Sequence, residues 1–250
     1  MELDATFFAL AIPAVLFAGI SKGGFGSGAA FAAAPFLALA VPPQLAVGVM
    51  LPLLMISDLT NLRPYWRKWS WRDSRAIMVG MVPGVALGAL LFSVTNDDAV
   101  RVAIGAIALG FVLFQLARAR GWLHIAPRPF SAGRAGFWGA AAGFTSFVSH
   151  AGGPPAAVYL LGRSLDKQTY QATTVIIFWW VNVLKFGPYA MLGLFTRETL
   201  IANVLLAPVV VIGSLIGVWA NRVVPERLYF GLTYVFLVIT ALKLFWDAAT

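Results

Sequence analysis

Lys22 is the first residue whose type and position suggest binding chemistry. It follows Ser21 at the end of an apolar run and precedes a glycine-rich segment that includes Gly24 and Gly26. Glycines let backbone N–H groups turn toward a ligand, and a helix that restarts after the break directs the positive end of its dipole at it. This pattern predicts an anion-binding site. The alternative is a lysine at a frayed helix end whose ammonium reaches interfacial water.

A second glycine-rich break contains Ser149 and His150, and Gly152, Gly153 and two prolines follow. Proline lacks an N–H donor and therefore suits the first turn of a restarted helix. His150 could titrate near neutral pH and either carry a proton or balance an anion. The alternative is a neutral imidazole bonded to a backbone group that the break exposes. No catalytic residue is predicted, because a serine and a histidine that are neighbours in sequence rarely face each other.

Two polar pairs lie within long apolar runs: Asp58 with Asn61, and Asn182 with Lys185. A spacing of three places both members of each pair on one helix face. Charged residues inside a membrane span are costly enough to indicate function, so we expect these pairs near a substrate. The alternatives are an interfacial cap near Arg63 for the first pair, and a structural partner of a freed carbonyl group for Lys185.

These residues have different expected roles at one anion site. A buried anion needs a full compensating charge, because a helix N-terminus supplies only about half a charge. Lys22 is the favoured cation, followed by Lys185 and then by protonated His150. His150 is favoured over Asp58 as proton carrier, because Asp58 lies about one turn from the expected cytoplasmic helix end, where water can solvate it. The predicted substrate-binding residues are Ser21, Lys22, Gly24, Gly26, Asn61, Ser149, His150, Gly152, Gly153, Asn182 and Lys185.

Composition indicates that these residues belong to an integral membrane protein. Of the 250 residues, 60% are hydrophobic and only 11% are charged, which excludes an ordinary soluble domain. The absence of cysteine excludes disulfides and thiol nucleophiles, and two histidines are too few for an all-histidine metal site, so neither metal nor cofactor is predicted. Basic residues beside apolar spans, where they orient the chain and attract anionic lipid, explain the net charge of +8 without nucleic acid.

The apolar runs are long and apolar all round, which is typical of membrane helices and not of β-barrel strands. Two runs, 29–41 and 156–161, are too short to cross a bilayer core of about 30 Å. Irregular backbone at membrane depth survives only inside protein or beside a wet cavity, so each break is predicted to form a re-entrant hairpin, over 5–41 and 135–161. The predicted crossings are 44–62, 76–94, 99–117, 168–192, 199–219 and 228–246.

Loop charge predicts the orientation of these helices. With two hairpins, most basic loop residues lie on one side, including those of segments 63–75 and 118–134, whereas Arg101 and Arg197 lie on the other. The positive-inside rule then places both basic segments in the cytoplasm and both chain termini outside it. The expected setting is the cell inner membrane, so the lipid bilayer is one predicted partner.

Weak internal similarity predicts a duplicated, all-α architecture. Gly19 matches Gly143, and segment 58–65 matches 182–189 at the same offset. Each half contains one hairpin and three crossings, and an odd number of crossings means that the second half enters from the opposite side. Such inverted repeats bring their broken segments together near the midplane. The predicted repeats are 1–125 and 126–250.

Four segments carry a resemblance to a known family: Gly19–Gly26 with Pro35, Arg63–Trp69, His150–Leu161 and Asn182–Tyr189. Through them the chain resembles the TauE/SafE family of sulfite and organosulfonate exporters over nearly its whole length. The resemblance implies a secondary carrier that exports a small anion, such as sulfite or an organosulfonate, from the cytoplasm. The residues by themselves indicate only an inverted-repeat transporter suited to anions.

Other functions remain open at this point. The chain has no Gly-Lys at P-loop spacing, so any energy must come from an ion gradient or from the gradient of the substrate itself, and a coupling proton or another ion is a candidate partner. A passive anion channel and a carrier for a small carboxylate are the alternatives. An enzyme is not expected, because no pair of nucleophile and base is evident. The sequence does not determine the oligomeric state.

Overall fold

A computed structural model describes residues 3–24, 30–39, 41–123, 125–220 and 226–249. Ten α-helices account for most of these residues, and no strand occurs among them. The all-helical prediction is therefore confirmed for the described residues. The helices are α1 (Ala5–Gly24), α2 (Ala33–Leu37), α3 (Pro43–Leu62), α4 (Trp71–Val94), α5 (Asp97–Ala119), α6 (Ala132–Ser149), α7 (Gly153–Leu161), α8 (Lys167–Met191), α9 (Arg197–Ala220) and α10 (Glu226–Ala249).

Five of the described helices, α1, α3, α4, α5 and α9, are long and apolar enough to cross a membrane. The chain is therefore a multi-pass membrane protein. Helix α8 has 25 residues, which is long enough for a span, but buried polar and charged residues interrupt its apolar sequence. The number of further crossings remains a prediction.

Polar residues in the connections set several helix starts. The side chain of Asn96 accepts a hydrogen bond from the N–H of Ala99 at the start of α5, and Ser131 accepts one from Arg134 at the start of α6. Asp166 accepts from the N–H of Thr169 at the start of α8, and hydrogen bonds to that threonine lower the pKa of the Asp166 carboxyl. These caps begin the helices where the apolar runs alone do not define a boundary.

Helix α4 begins at Trp71, several residues before the predicted start at 76. Its first turn is polar, so a hydropathy pattern does not detect it. The Ser70 hydroxyl donates to the Asp73 carboxylate at 2.6 Å, and this carboxylate also accepts from the Tyr159 hydroxyl at 2.7 Å and from Arg163 Nε at 2.8 Å. Buried hydrogen bonds to α7 and to the turn after it therefore hold the extra turn in place.

Helix α1 packs along α9, and glycines let the two backbones touch. A Cβ atom at Gly19 would lie 2.6 Å from the carbonyl oxygen of Val210, and one at Gly213 would lie 2.6 Å from that of Leu16. Both distances are shorter than side chains tolerate. Larger residues at either position would push the helices apart.

Helix α4 packs along α6 in the same manner. A Cβ atom at Gly84 would collide with the carbonyl oxygen of Ala140, and one at Gly88 would lie 2.6 Å from the Cβ of Phe147. Gly84 and Gly88 therefore let these two helices pack in close contact. Helix α5 packs on α10, and α3 and α8 meet at the centre of the molecule.

The second glycine-rich break has a defined geometry. Helix α6 ends at Ser149, and the next residue, His150, has a φ of 57°, in the left-handed region that few non-glycine residues adopt. Helix α7 then begins at Gly153 with proline in its first turn, as predicted, and its nine residues are too short to cross a bilayer. The strained backbone at His150 is a feature that often accompanies functional sites.

The first glycine-rich break lies mainly outside the described residues. Helix α1 continues through Gly24, whereas Gly26 falls in the segment 25–29 that the structure does not describe. The chain resumes with a 3-10 turn at Ala30–Ala32 and the five-residue helix α2. Both pieces contact α1, so the described part of this unit folds back on itself.

Candidate functional site

Four helices bring buried polar side chains together at the centre of the molecule. Lys22 lies in the last turn of α1, Asp58 near the end of α3, and Asn182 and Lys185 lie in the middle of α8. The end of α6 contributes Ser146 and His150. We call these six residues the central cluster, and each is less than a tenth exposed.

Lys22 and Asp58 form a buried ion pair. The lysine Nζ lies 2.5 Å from Asp58 Oδ1 and 3.3 Å from the carbonyl oxygen of Leu54, to which it donates. Asn182 Nδ2 donates to the other carboxylate oxygen of Asp58 at 2.6 Å. The carboxylate thus holds the end of α1 and the middle of α8 against α3.

This pairing corrects three expectations. Lys22 does not reach interfacial water, because its side chain is 6% exposed and paired. Asp58 is 1% exposed, so the expectation that water solvates it is wrong, and so is the alternative of an interfacial cap near Arg63. The error arose because hydropathy places Asp58 near a helix end, whereas the packing of α1 and α8 covers it.

Lys185 is completely buried and has no acidic partner among the described residues. Its Nζ lies 3.0 Å from the Ser146 carbonyl oxygen, 3.1 Å from Ser146 Oγ and 2.8 Å from His150 Nδ1. Three acceptors match the three N–H groups of an ammonium. The alternative role predicted for Lys185, as the partner of a freed carbonyl group, accounts only for its contact with the Ser146 carbonyl oxygen.

His150 connects Lys185 to α3. Its Nε2 lies 3.0 Å from the carbonyl oxygen of Val47, an acceptor, so Nε2 must carry a proton. Its Nδ1 faces the Lys185 ammonium and must therefore accept. We assign a neutral imidazole with the proton on Nε2, which agrees with the predicted backbone-bonded alternative.

The charges of the central cluster do not cancel. The cluster contains two lysines, Lys22 and Lys185, but one carboxylate, Asp58, and His150 is assigned as neutral. Within the described residues, the other buried carboxylate is Asp73, which is bonded to Tyr159 and Arg163 instead. With both lysines protonated, one positive charge has no counterion among the described residues, and an unmatched buried charge costs several kcal/mol.

Two small cavities adjoin the cluster, and Lys22 and Phe178 line both. The Gln171 cavity also contacts Asp58, Asn61, Gln171, Thr174 and Val175; the His150 cavity also contacts Ala30, Leu54, Ser146, His150 and Asn182. Each has space of about 10 Å³, which holds about one water molecule. An anion larger than water would therefore enter only after the helices move.

The Gln171 cavity contains unsatisfied polar groups. Asn61 Oδ1 and Gln171 Nε2 are buried and have no hydrogen-bond partner in the part of the chain that the structure describes. Asn61 Nδ2 donates to Ser57 Oγ at 3.3 Å, and Ser57 in turn bonds to Ser214 of α9. Buried polar groups without partners are uncommon, and here they line a cavity.

Gln171, Thr174 and Phe178 were not predicted from the sequence, although a signal was present. Together with Asn182 and Lys185 they are spaced by three or four residues and form one face of α8. Extending the face of the predicted pair toward the start of α8 would have found them.

Several predicted residues lie near the cluster but line neither cavity. Ser149 Oγ donates to the carbonyl oxygen of Thr145 in its own helix, and Ser21 is fully buried in α1. Gly24 lies against the Gly217 backbone of α9, and a Cβ atom at Gly152 would lie 2.9 Å from the Phe178 ring. Gly153 starts α7. Gly26 lies outside the described residues, so its predicted role stays a prediction.

Three comparisons with known proteins give one match. The model of a family described as sulfite exporter TauE/SafE matches residues 11–244, nearly the whole chain. No curated protein and no solved structure matches it.

Proposed function

Because this chain belongs to the TauE/SafE family of sulfite exporters, we propose that it exports a small anion, such as sulfite or an organosulfonate, from the cytoplasm across the cell inner membrane. A sulfite exporter family is a family of membrane transporters rather than enzymes, and a small anion and the bilayer are the partners that this implies. The particular anion, the outward direction and the residues that bind it are parts of the proposal.

One observation carries the proposal: the central cluster holds two lysines and one aspartate. The uncompensated positive charge is buried among α1, α3, α6 and α8, where a single negative charge would balance it. Sulfonates and the singly protonated form of sulfite carry that charge. A neutral substrate would leave the charge unmatched, and a cation would add to it.

The proposed anion site lies at the His150 cavity. Lys22 supplies the ammonium group that contacts the anion, because it lines both cavities and its pairing with Asp58 fixes its position. Ser146 and Asn182 supply hydrogen-bond donors from the opposite helices. Lys185 lies behind Ser146 and His150 and adds the second positive charge without lining the cavity.

We further propose that residues 1–125 and 126–250 are inverted repeats, each with a re-entrant hairpin and three crossings. The packing supports this, since α1 on α9 corresponds to α6 on α4 when the halves are exchanged. The matched residues Asp58 and Asn182 also touch each other. Equivalent residues make direct contact only near the axis that relates two repeats, which would put the anion site near the midplane.

The membrane potential supplies one driving force for export. A potential that is negative inside favours the outward movement of an anion by about 2.3 kcal/mol per charge for each 100 mV. A coupling proton would act through His150 in this proposal. Protonation of Nδ1 would replace the hydrogen bond from Lys185 with a repulsion and would free that ammonium.

Flux through proteoliposomes tests the proposed function. We expect the purified full chain to transport sulfite or sulfoacetate, and an exposed-lysine variant, Lys68→Met, to transport as well as the parent. Lys22→Met should show no flux above that of empty liposomes. Transport of acetate, but of neither sulfite nor sulfoacetate, would indicate a carrier for a small carboxylate. Accumulation of the anion that never exceeds its imposed electrochemical gradient, even with a pH gradient, would indicate passive transport without proton coupling.

A further inference from the structure

An open groove lies between α4 and α6, away from the central cluster. It has a volume of about 720 Å³, and its walls come from the first three turns of α4, the start of α6 and the segment before α6. Arg72 and Arg75 stand at one end. We call it the α4–α6 groove, and nothing in the proposed transport function uses it.

The arginine end of the groove carries unbalanced positive charge. Arg72 and Arg75 are three residues apart on the first turn of α4 and therefore share a helix face. The guanidinium carbon of Arg72 lies 4.0 Å from the centroid of the Phe130 ring, which fixes this side chain over the groove. Among the described residues, neither arginine pairs with an acid, because Asp73 between them is directed at Tyr159 and Arg163.

The remainder of the groove is apolar and faces outward. Val79 is 72% exposed, and Pro83 one turn further along α4 is also exposed. No atom lies within 4 Å of a Cβ atom at Gly136 on the facing helix, so the groove is open there. From Arg72 to Pro83 the helix rises roughly 16 Å at 1.5 Å per residue, about half of a bilayer core.

We propose that the α4–α6 groove binds one anionic phospholipid. Its phosphate accepts hydrogen bonds from Arg72 and Arg75, and one acyl chain lies along Val79 and Pro83 toward Gly136. Guanidinium groups match phosphate oxygens in geometry as well as charge. The apolar part belongs to a helix that is apolar enough to span the membrane, so hydrocarbon is the medium that meets it.

Native mass spectrometry of the full chain in maltoside detergent tests the headgroup contact. The probes are palmitoyl-oleoyl phosphatidylglycerol and palmitoyl-oleoyl phosphatidylcholine. We expect one phosphatidylglycerol to bind about tenfold more tightly than phosphatidylcholine, and Arg72→Gln with Arg75→Gln to remove this preference. The matched control is Arg118→Gln with Arg120→Gln, which removes the same charge from the end of α5. The proposal would be overturned if both double variants lost the preference for phosphatidylglycerol equally, or if the parent showed no such preference.

A second pair of variants tests the acyl contact. Gly136→Leu places a side chain into the groove, whereas Gly133, one turn earlier in α6, does not line the groove. A Cβ atom at either position meets nothing within 4 Å. Both changes raise helix propensity equally. We expect only Gly136→Leu to weaken phosphatidylglycerol binding, by about tenfold. A parent that is dimeric and becomes monomeric in Gly136→Leu would show instead that the groove contacts a second copy, and would overturn the lipid assignment.

Discussion

The two lysines of the central cluster are both buried but have different partners. Lys22 lies 2.5 Å from a carboxylate, whereas Lys185 contacts a carbonyl oxygen, a hydroxyl and an imidazole nitrogen, none of them charged. The first lysine is half of an ion pair. The second is a cation that neutral groups solvate.

This difference separates the stabilising and binding roles of charge. The Lys22–Asp58 pair joins α1 to α3, so its loss should weaken the fold as well as the site. Lys185 brings the charge that remains uncompensated, so its loss should weaken anion binding more than the fold. Variants at the two lysines therefore test the comparison directly, with the largest effect expected at Lys22.

Lys22→Met should abolish methanesulfonate binding and destabilise the protein by about 3–5 kcal/mol, because it leaves the Asp58 carboxylate buried without its counterion. The double variant Lys22→Met with Asp58→Asn should recover most of the stability but none of the binding. Calorimetric titration measures the affinity, and thermal unfolding in detergent measures the stability. Binding by the double variant within a factor of about two of the parent would remove Lys22 from the site.

Lys185→Met should lower methanesulfonate affinity by about tenfold, with a smaller loss of stability than Lys22→Met. The substitution leaves Ser146 and His150 without a donor, at about 1–3 kcal/mol, but it also removes an unmatched buried charge. The two effects oppose each other. Unfolding temperatures of the two methionine variants, measured side by side, test which variant is less stable. A greater loss of stability in Lys185→Met than in Lys22→Met would contradict the distinction between the lysines.

Most of the helices could be predicted from the sequence, since a long apolar run in a membrane protein leaves little alternative to a helix. The run 44–62 corresponds to Pro43–Leu62, and 199–219 corresponds to Arg197–Ala220. The first turn of α4 could not be predicted in this way, because Asp73 is held by partners on α7 and in the turn that follows it. Its burial depends on tertiary contacts that no local pattern records.

The sequence singled out the residues of the central cluster except Ser146, but it did not predict how they contact one another. Helical spacing correctly paired Asn182 with Lys185 on one face of α8. That Asp58 binds both Lys22 and Asn182 depends on how three helices cross, and a single sequence does not contain that geometry. Because Asp58 is buried, solvation by water is not a reason to prefer His150 over Asp58 as the proton carrier. The preference for His150 depends on its contact with Lys185.

His150→Gln should remove the pH response of binding while leaving affinity at high pH within about threefold of the parent. Protonation of the imidazole adds a positive charge beside Lys185, so the affinity of the parent for an anion should rise as pH falls. Methanesulfonate is a suitable probe because its own charge does not change near neutral pH. Titrations between about pH 5 and 8.5 measure the response. A response that persists in His150→Gln but disappears in Asp58→Asn would assign the proton to Asp58.

Gln171→Ala should have the smallest effect. It would extend the comparison to the Gln171 cavity, which Lys22 and its partner Asp58 both line. The Gln171 Nε2 group has no partner among the described residues, so its removal should not lower the unfolding temperature. If the anion passes this cavity, the lost donor should lower the transport rate at limiting methanesulfonate by about threefold, the effect of one neutral hydrogen bond. Gln168→Ala, an exposed residue one turn earlier in α8, is the matched control. A lower unfolding temperature with an unchanged rate would mean that Gln171 is structural and that the anion reaches Lys22 only through the His150 cavity.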